Sequence, residues 1–559
     1  MVEKVLNLFN REWSSLNEAA FLLGLSAFVS QILSLFRDRL LAGAFGAGSE
    51  LDIYYSAFRI PDIIYVSVAS LVSITILIPF IIRHLDSESK VGAQKLINSV
   101  FTLFFILIIV VAVAAFILMP YLAPLVAPGF SASAQATLIN LSRILLLSPI
   151  LLGLSNLFGS VTQSFKRFFI YALSPVLYNV GIIIGISFFY PSMGLAGLVW
   201  GVILGATLHL LVQAPTVWGL GFFPRLALKI DWREIRQLVA ISLPRTFTLS
   251  VHQITILVLV ALASLMDKGS IAVFNFANNL QSVPLAIVGL SYSVAAFPTL
   301  VKIFNHGDRA KFVGQVSDAL RYIIFWSIPA MAIFIVLRAQ IVRVILGSGE
   351  FDWSDTRLTA AALACFSISI IAQSLILLFV RAYYAAGKTS KPLIINVVSS
   401  LLVVALAYGL NAWYKSAVAF QQLVEGWLRV EQVGGTIVLI LPIAFSLGML
   451  VNLFLFYFFF RRDFGPFGAR VSRTFWQVLF ASFGGAVTSY LLLNVFDNWF
   501  DLNTFFGILF QGLLAGLGGM AVGLGLLQFS GSQELTSIIG SLRQRFWRSA
   551  VVVESPEEI

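Results

Sequence analysis

One cysteine, Cys365, stands in 559 residues, which excludes an intrachain disulfide and any cysteine-based metal cluster. Histidine is nearly as scarce: His84, His209, His252 and His306 lie scattered, without the spacing of metal ligands. The largest deficit is charge. Asp, Glu, Lys and Arg make up 11% of the chain, against roughly 25% in an ordinary soluble domain. With 59% hydrophobic residues and a mean hydropathy of +0.93, most of the surface must face something other than water. Also missing are a Gly-rich phosphate loop, a His/Cys cluster and a Ser–His–Asp set with a common face. No catalytic residue, cofactor or metal is therefore expected. The acidic stretch Glu350–Asp355 reads as a surface turn capping the next helix.

What is present is long apolar runs, rich in Phe, which occurs 50 times. A helix needs roughly 20 apolar residues to cross the hydrocarbon of a bilayer. That ruler places spans near 20–44, 53–82, 96–119, 138–163, 169–190, 195–218 and 238–265. It continues with 271–301, 316–337, 358–386, 392–413, 436–460, 474–495 and 505–528. The fold class is an all-α polytopic membrane protein of about fourteen transmembrane helices. Ahead of the first span, Lys4 and Arg11 mix with Glu3, Glu12 and Glu18, which reads as a short interfacial helix, not a signal peptide.

The net charge of +10 raises the question of nucleic acid. Its placement answers it: with both termini cytoplasmic, twenty-five Lys and Arg fall in inside segments and six in outside ones. Positive charge concentrates on the cytoplasmic side of membrane proteins, so the basic balance is topology and no nucleic-acid partner is expected.

A faint repeat runs through the chain. Ser30-Gln31-Ile32 resembles His252-Gln253-Ile254, and Ile78-Pro79 resembles Phe297-Pro298, both at offsets close to 220 residues. Six helices repeated in one orientation imply two lobes about an axis along the membrane normal, with a substrate site between them. The expected organisation is an N-terminal lobe over 1–230, a C-terminal lobe over 231–470, and two extra helices with a cytoplasmic tail over 471–559.

Charge at membrane depth is costly and normally faces a cavity or a partner. Arg37, Asp38, Arg39, Asp52, Arg59 and Asp62 crowd into 26 residues covering the first two spans, and Gly43, Gly46 and Gly48 closely follow Arg37 and Asp38. The pattern reads as a broken or bent helix lining a space. Two readings compete. In one, Arg37 and Asp38 pair internally, Arg39 snorkels and Asp52 caps the second span. In the other, the arginines make a positive cavity for an anionic head group, since guanidinium binds phosphate in bidentate fashion. The cost of burying several charges favours the second, with Asp38 holding an arginine rotamer. Arg245 after Pro244 occupies the equivalent entry of the second lobe, either as an anchor or in the cavity, whereas Arg143 reads as snorkelling. Asn275, Asn278 and Asn279 at helical spacing serve either as glue between helices or as substrate contacts. No carboxylate lies well inside a helix from the seventh span onward, which argues against an acid-based ion site there.

Phe36-Arg37-Asp38-Arg39-Leu40-Leu41-Ala42, Phe45-Gly46-Ala47-Gly48, Leu51-Asp52 and Ala57-Phe58-Arg59-Ile60-Pro61 together closely resemble the opening signature of the MurJ/MviN lipid II flippases. Further matches are Ala127-Pro128-Gly129-Phe130, Arg167-Phe168 with Pro175 and Asn179, Gly347 to Phe351, and Arg381-Ala382-Tyr383-Tyr384 with Lys391-Pro392. The resemblance covers about residues 20–530. It implies a bacterial inner-membrane flippase of alternating access, moving an undecaprenyl-pyrophosphate-linked cell-wall precursor between leaflets. Partners would be that lipid-linked anionic glycan, membrane lipids and cell-wall synthesis proteins. The alternative is an exporter of another lipid-linked oligosaccharide or amphipathic molecule. The substrate-binding set it implies, taken with the charge reading, is Arg37, Asp38, Arg39, Asp52, Arg59, Arg245, Asn278 and Asn279. The chain departs from the family at Gln31, Asp62, Ser70, Asn278-Asn279 and Ser282, several of them neutral where the family carries charge.

Overall fold

In lipid, the helix is the structure in which a single segment satisfies its own backbone N–H and C=O groups, and every regular element among the described residues is helical. The computed structural model describes residues 16–69, 74–87, 90–227 and 229–547, without the side chains of 16–21, 74–76, 241, 244, 245 and 541–547. The expected N-terminal interfacial helix falls almost entirely outside these residues, as does Ser70. Eleven helices among the described residues are long and apolar enough to cross a membrane, or twelve if Trp353–Ser367 with Ser369–Ala385 serves as one span. The chain is thus a multi-span helical membrane protein. The stretch read as the second span contains residues outside the described set and does not enter that number.

The helices that bear on the site are α1 (Leu16–Phe45), α2 (Ser49–Ala57), α3 (Arg59–Ala69), α4 (Ile74–Asp86) and α5 (Lys90–Val126). They continue as α6 (Ala132–Leu145), α7 (Leu147–Ser164), α8 (Phe168–Ile184), α9 (Leu195–Leu211), α10 (Trp232–Ala263) and α11 (Ser270–Pro284). The described helices fall into two compact units. The first takes the chain up to Leu280 with Ile345–Phe366 and Lys388–Asn452; the second takes Gln281–Val344, Ser367–Gly387 and the chain from Leu453.

In the first unit, α5 shows how an apolar helix chooses its faces. Ile106, Val110, Val113 and Ile117 are exposed, as lipid-facing residues would be, whereas Phe104, Ile108, Ala112, Ala115 and Met119 are buried. The interior core joins Phe104, Ile108, Ala115 and Met119 to Leu96, Leu157, Val161 and Leu238. Where helices approach most closely, side chains vanish. A Cβ on Gly181 would lie 2.3 Å from the Gly205 Cα, and one on Gly201 would lie 2.4 Å from the Gly185 Cα. Small residues at four-residue spacing let membrane helices meet backbone to backbone, and this is how α8 and α9 pack.

α1 departs from the sequence expectation. Arg37 and Asp38 do not break it; the helix runs through them to Phe45 and ends at Gly46, whose φ of +58° suits the end of a helix. The glycines that read as a bend instead admit a neighbouring segment, with Glu350 N–H donating to the Gly43 carbonyl at 2.9 Å.

The second unit explains much of the phenylalanine. Phe460 packs on Phe467 at 5.1 Å, Phe379 at 5.4 Å and Phe464 at 4.8 Å between ring centroids. Its last described helix, Gln533–Trp547, is tied down by Glu534, which accepts from Arg321 at 2.6 Å, Thr474 at 2.8 Å and Ser532 at 3.0 Å. Burial alone would raise that carboxyl, but its own backbone N–H, together with these hydrogen bonds, outweighs it and holds it below its ordinary value.

Candidate functional site

The charged stretch folds into the first unit as a set of polar clasps, each joining helices distant in the chain. Near the end of α1, the Arg37 guanidinium donates to its neighbour Asp38 through Nε at 3.0 Å and Nη2 at 2.7 Å. Arg37 Nη1 reaches the Asn179 side-chain oxygen on α8 at 3.4 Å. Asn179 is itself oriented, donating to the Ser30 hydroxyl at 3.1 Å and the Pro175 carbonyl at 3.1 Å. Asp38 is 2% exposed, and its second oxygen accepts from Asn279 Nδ2 on α11 at 3.2 Å. One carboxylate thus neutralises Arg37 and ties α1 to α11.

Asp52 and Arg59 carry the next two clasps. The Asp52 carboxylate accepts the backbone N–H of Gly269 at 2.6 Å and of Ala272 at 2.8 Å. It therefore caps the N-terminus of α11, where a negative charge meets the positive end of the helix dipole. The sequence reading offered Asp52 as a cap for its own span; the structure gives it to a helix more than two hundred residues further on. Arg59, at the start of α3, is buried and donates from Nη2 to the Asn275 side-chain oxygen at 2.6 Å. Asn275 is aimed by its own donation to the Ile271 carbonyl at 2.7 Å. Arg59 Nε is buried and has no hydrogen-bond partner among the described residues.

Arg37, Asp38, Asp52, Arg59 and Asn279 are thus linked through α11. Arg39 is elsewhere: its Nη1 donates to the Ile345 carbonyl at 3.4 Å. Asn278 is half-buried on α11, and the side chain of Arg245 lies outside the described residues. Arg143 leaves the group altogether, its Nε on the Phe116 carbonyl at 3.1 Å and its guanidinium 4.6 Å from the Phe116 ring centre. Asn179 was absent from the expected set, and Asn275, read as glue between helices or as a substrate contact, was left out of it. Asn179 had two signals, its place four residues after a mid-span proline and its part in the family resemblance; the amide of Asn275 had only its helical spacing to Asn278 and Asn279.

Beside Arg59, Asp62 faces a cavity of about 310 Å³ within the same unit, lined by residues of α3, α7, α8, α9 and the end of α6. His209 on its wall is held by Ser155 Oγ at 2.6 Å from Nδ1, and Tyr65 OH accepts from Asn156 at 3.0 Å. Among the described residues no group of three or more His, Cys, Asp or Glu is placed to hold a metal ion.

Comparison with known proteins gives the family and the fold. A probable lipid II flippase MurJ of Buchnera aphidicola subsp. Schizaphis graminum is 25% identical over 415 residues, covering 73% of this chain and 80% of that protein. The lipid II flippase MurJ of Burkholderia cenocepacia is 25% identical over 453 residues, covering 75% and 88%. In fold, the chain is similar to a lipid II flippase MurJ solved in an inward closed conformation, with a TM-score of 0.71 at 22% identity over 93% of this chain and 100% of that one. It is also similar to an inward-facing multidrug resistance MATE family transporter of the MOP superfamily, with a TM-score of 0.62 at 16% identity over 80% and 95%. The family described as lipid II flippase MurJ matches residues 41–511, most of the chain, and the protein belongs to that family.

Proposed function

We propose that this protein translocates lipid II, an undecaprenyl-pyrophosphate-linked peptidoglycan precursor, from the inner to the outer leaflet of the bacterial cytoplasmic membrane. Family membership supports the cargo, and relatives of this length carry that activity in their names. The observation that carries the mechanism is Arg59: a buried guanidinium whose Nη2 is committed to Asn275 while its Nε lacks a partner. An unsatisfied buried donor costs about 1–3 kcal/mol, and an oxygen of a diphosphate head group is a natural acceptor for it. In this reading Arg37 and Arg59 grip the head group, Asp38 and Asn179 fix the Arg37 rotamer, and Asp52 sets α11 so that Asn278 and Asn279 face the same path. Arg39 and Arg245 complete the proposed substrate-binding set.

The two six-helix lobes rock to open the path alternately to each side, with both termini in the cytoplasm and cell-wall synthesis proteins as partners. An inside-negative potential drives each negative charge outward by about 2.3 kcal/mol per 100 mV, which supplies direction. Expression in a flippase-depleted bacterial cell tests the reading. Restored growth and cell shape with the wild-type chain, lost with Arg59→Ala at equal membrane abundance, is the expected result. Failure of the wild-type chain to restore growth while it reaches the membrane would refute it.

A further inference from the structure

The cavity beside Asp62 is not part of the head-group proposal, and its chemistry is different. Its polar lining is oxygen-rich and carries one acid: Asp62 with the hydroxyls of Tyr65, Ser148 and Tyr178, and the imidazole of His209. Three prolines also line it, Pro61, Pro149 and Pro175, each within a helix. A helical proline has no N–H for the carbonyl four residues earlier, so Pro149 withholds one from the Leu145 carbonyl at the cavity wall. The same deficit falls on Ala57 and Tyr171. Backbone carbonyls released in this way coordinate cations in membrane proteins only where they line a cavity.

The Asp62 carboxylate has no hydrogen-bond or ion-pair partner among the described residues. Charge on the surrounding walls is sparse: Arg37 acts electrostatically on Tyr178, whose hydroxyl is hydrogen-bonded to Ser148, but its guanidinium is given to Asp38 at 2.7 Å. α7 and α8 carry no charged residue, α9 contributes His209 alone, and the Arg143 of α6 is held on Phe116. On its own helix, Arg59 influences Asp62 electrostatically from one turn away, but its Nη2 is given to Asn275 at 2.6 Å. His209 is occupied at Nδ1 by Ser155 at 2.6 Å. A carboxylate at membrane depth without a partner is expensive, and what relieves it is positive charge brought from outside. At about 310 Å³, the space sits at the bottom of the range for a drug-sized ligand and suits a small ion with water.

We propose that this cavity is the site of one monovalent cation, H⁺ or Na⁺, taken up on Asp62, with the Leu145 carbonyl and the Ser148, Tyr65 and Tyr178 hydroxyls as its oxygen neighbours. The site gives the first unit an ion-binding element separate from the head-group clasps and independent of the cargo.

Thermal unfolding of the purified full chain in detergent tests it, with NaCl against choline chloride at constant ionic strength and with pH varied at fixed choline. If the cation is Na⁺, the midpoint rises saturably with NaCl and the rise is lost in Asp62→Asn. If it is H⁺, NaCl has no specific effect, and a pH-dependent change of the midpoint is lost in the same variant. Tyr178→Phe, which deletes one oxygen, should shift the Na⁺ or H⁺ midpoint about tenfold in concentration, and it decides the matter if Asp62→Asn does not fold. The proposal is overturned if the wild type responds to neither cation, if its response survives in Asp62→Asn, or if Tyr178→Phe leaves the midpoint in place.

Discussion

Asn275→Leu separates what the Arg59 clasp does for stability from what it does for transport. In the native protein Arg59 Nη2 donates to Asn275 at 2.6 Å, and Arg59 Nε is already without a partner. Removing the amide leaves the buried guanidinium with no hydrogen bond among the described side chains. Hydrogen bonds to charged groups contribute about 1.5–3 kcal/mol in soluble proteins, whereas side-chain bonds between membrane helices average about 0.6 and reach about 1.7 kcal/mol. An ionised donor in a buried site belongs at the upper end of the membrane range, so Asn275→Leu should destabilise by about 1.5 kcal/mol. Replacing both partners is different, because no orphaned group remains. Arg59→Leu with Asn275→Leu should recover most of the lost stability and yet abolish translocation. The assay is a double-mutant cycle on unfolding in mixed detergent micelles, with transport measured on the same four proteins. A cost below about 0.3 kcal/mol for Asn275→Leu, where distant sites already scatter by that much, would refute the reasoning. So would a transport-competent double variant.

Other substitutions test other joints. Asp52→Ala removes the charged cap of α11 and should cost about 1–2 kcal/mol, seen as faster amide exchange over 269–275 in hydrogen-exchange mass spectrometry. Gly201→Val drives a side chain into the Gly185 backbone, 2.4 Å from its first carbon, and should cost at least about 1–3 kcal/mol; Gly24→Ala, with nothing within 4 Å, should leave the unfolding midpoint unchanged or slightly raised. The Glu534 clasp gives a pH dependence. Because its carboxyl is held below the ordinary value, the stabilisation is complete above the ordinary carboxylate range and fades as pH falls through it towards the lowered pKa. Limited proteolysis near 533–547 should accelerate on acidification of the wild type, and Arg321→Ala should be cleaved readily even at neutral pH.

The sequence carried the place of the buried charges better than their wiring. Arg37, Asp38 and Arg59 were conspicuous because a charge inside an apolar run is costly and therefore visible. Their partners were not. Asn179 and Asn275 are neutral amides, common between membrane helices, and they meet the arginines across 142 and 216 residues of chain. Asp52 was legible as an acid at a helix start, but the helix it caps is α11, and no local pattern connects them. The glycines of α1 misled in the opposite sense. They read as a break or bend, whereas Gly43 admits a neighbouring backbone and Gly46 ends the helix. Gly181 and Gly185, like Gly197, Gly201 and Gly205, stood at four-residue spacing in plain view; their meaning depends on which two helices face each other. Span counting from apolar length found helices well and said little about breaks such as that at Leu146, three residues before Pro149.

The central claim is that the arginines of the first two spans carry the head group of lipid II across the membrane. It is met most directly by reconstituting the purified chain in sealed vesicles and following the loss of labelled lipid II from one leaflet, with an imposed inside-negative potential. The wild type should move lipid II, faster with the potential than without it, and Arg37→Ala and Arg59→Ala should each slow it by tenfold or more, since each removes a charge-assisted contact of about 1.5–3 kcal/mol. Unchanged rates in both variants, with the proteins folded and equally incorporated, would contradict the account.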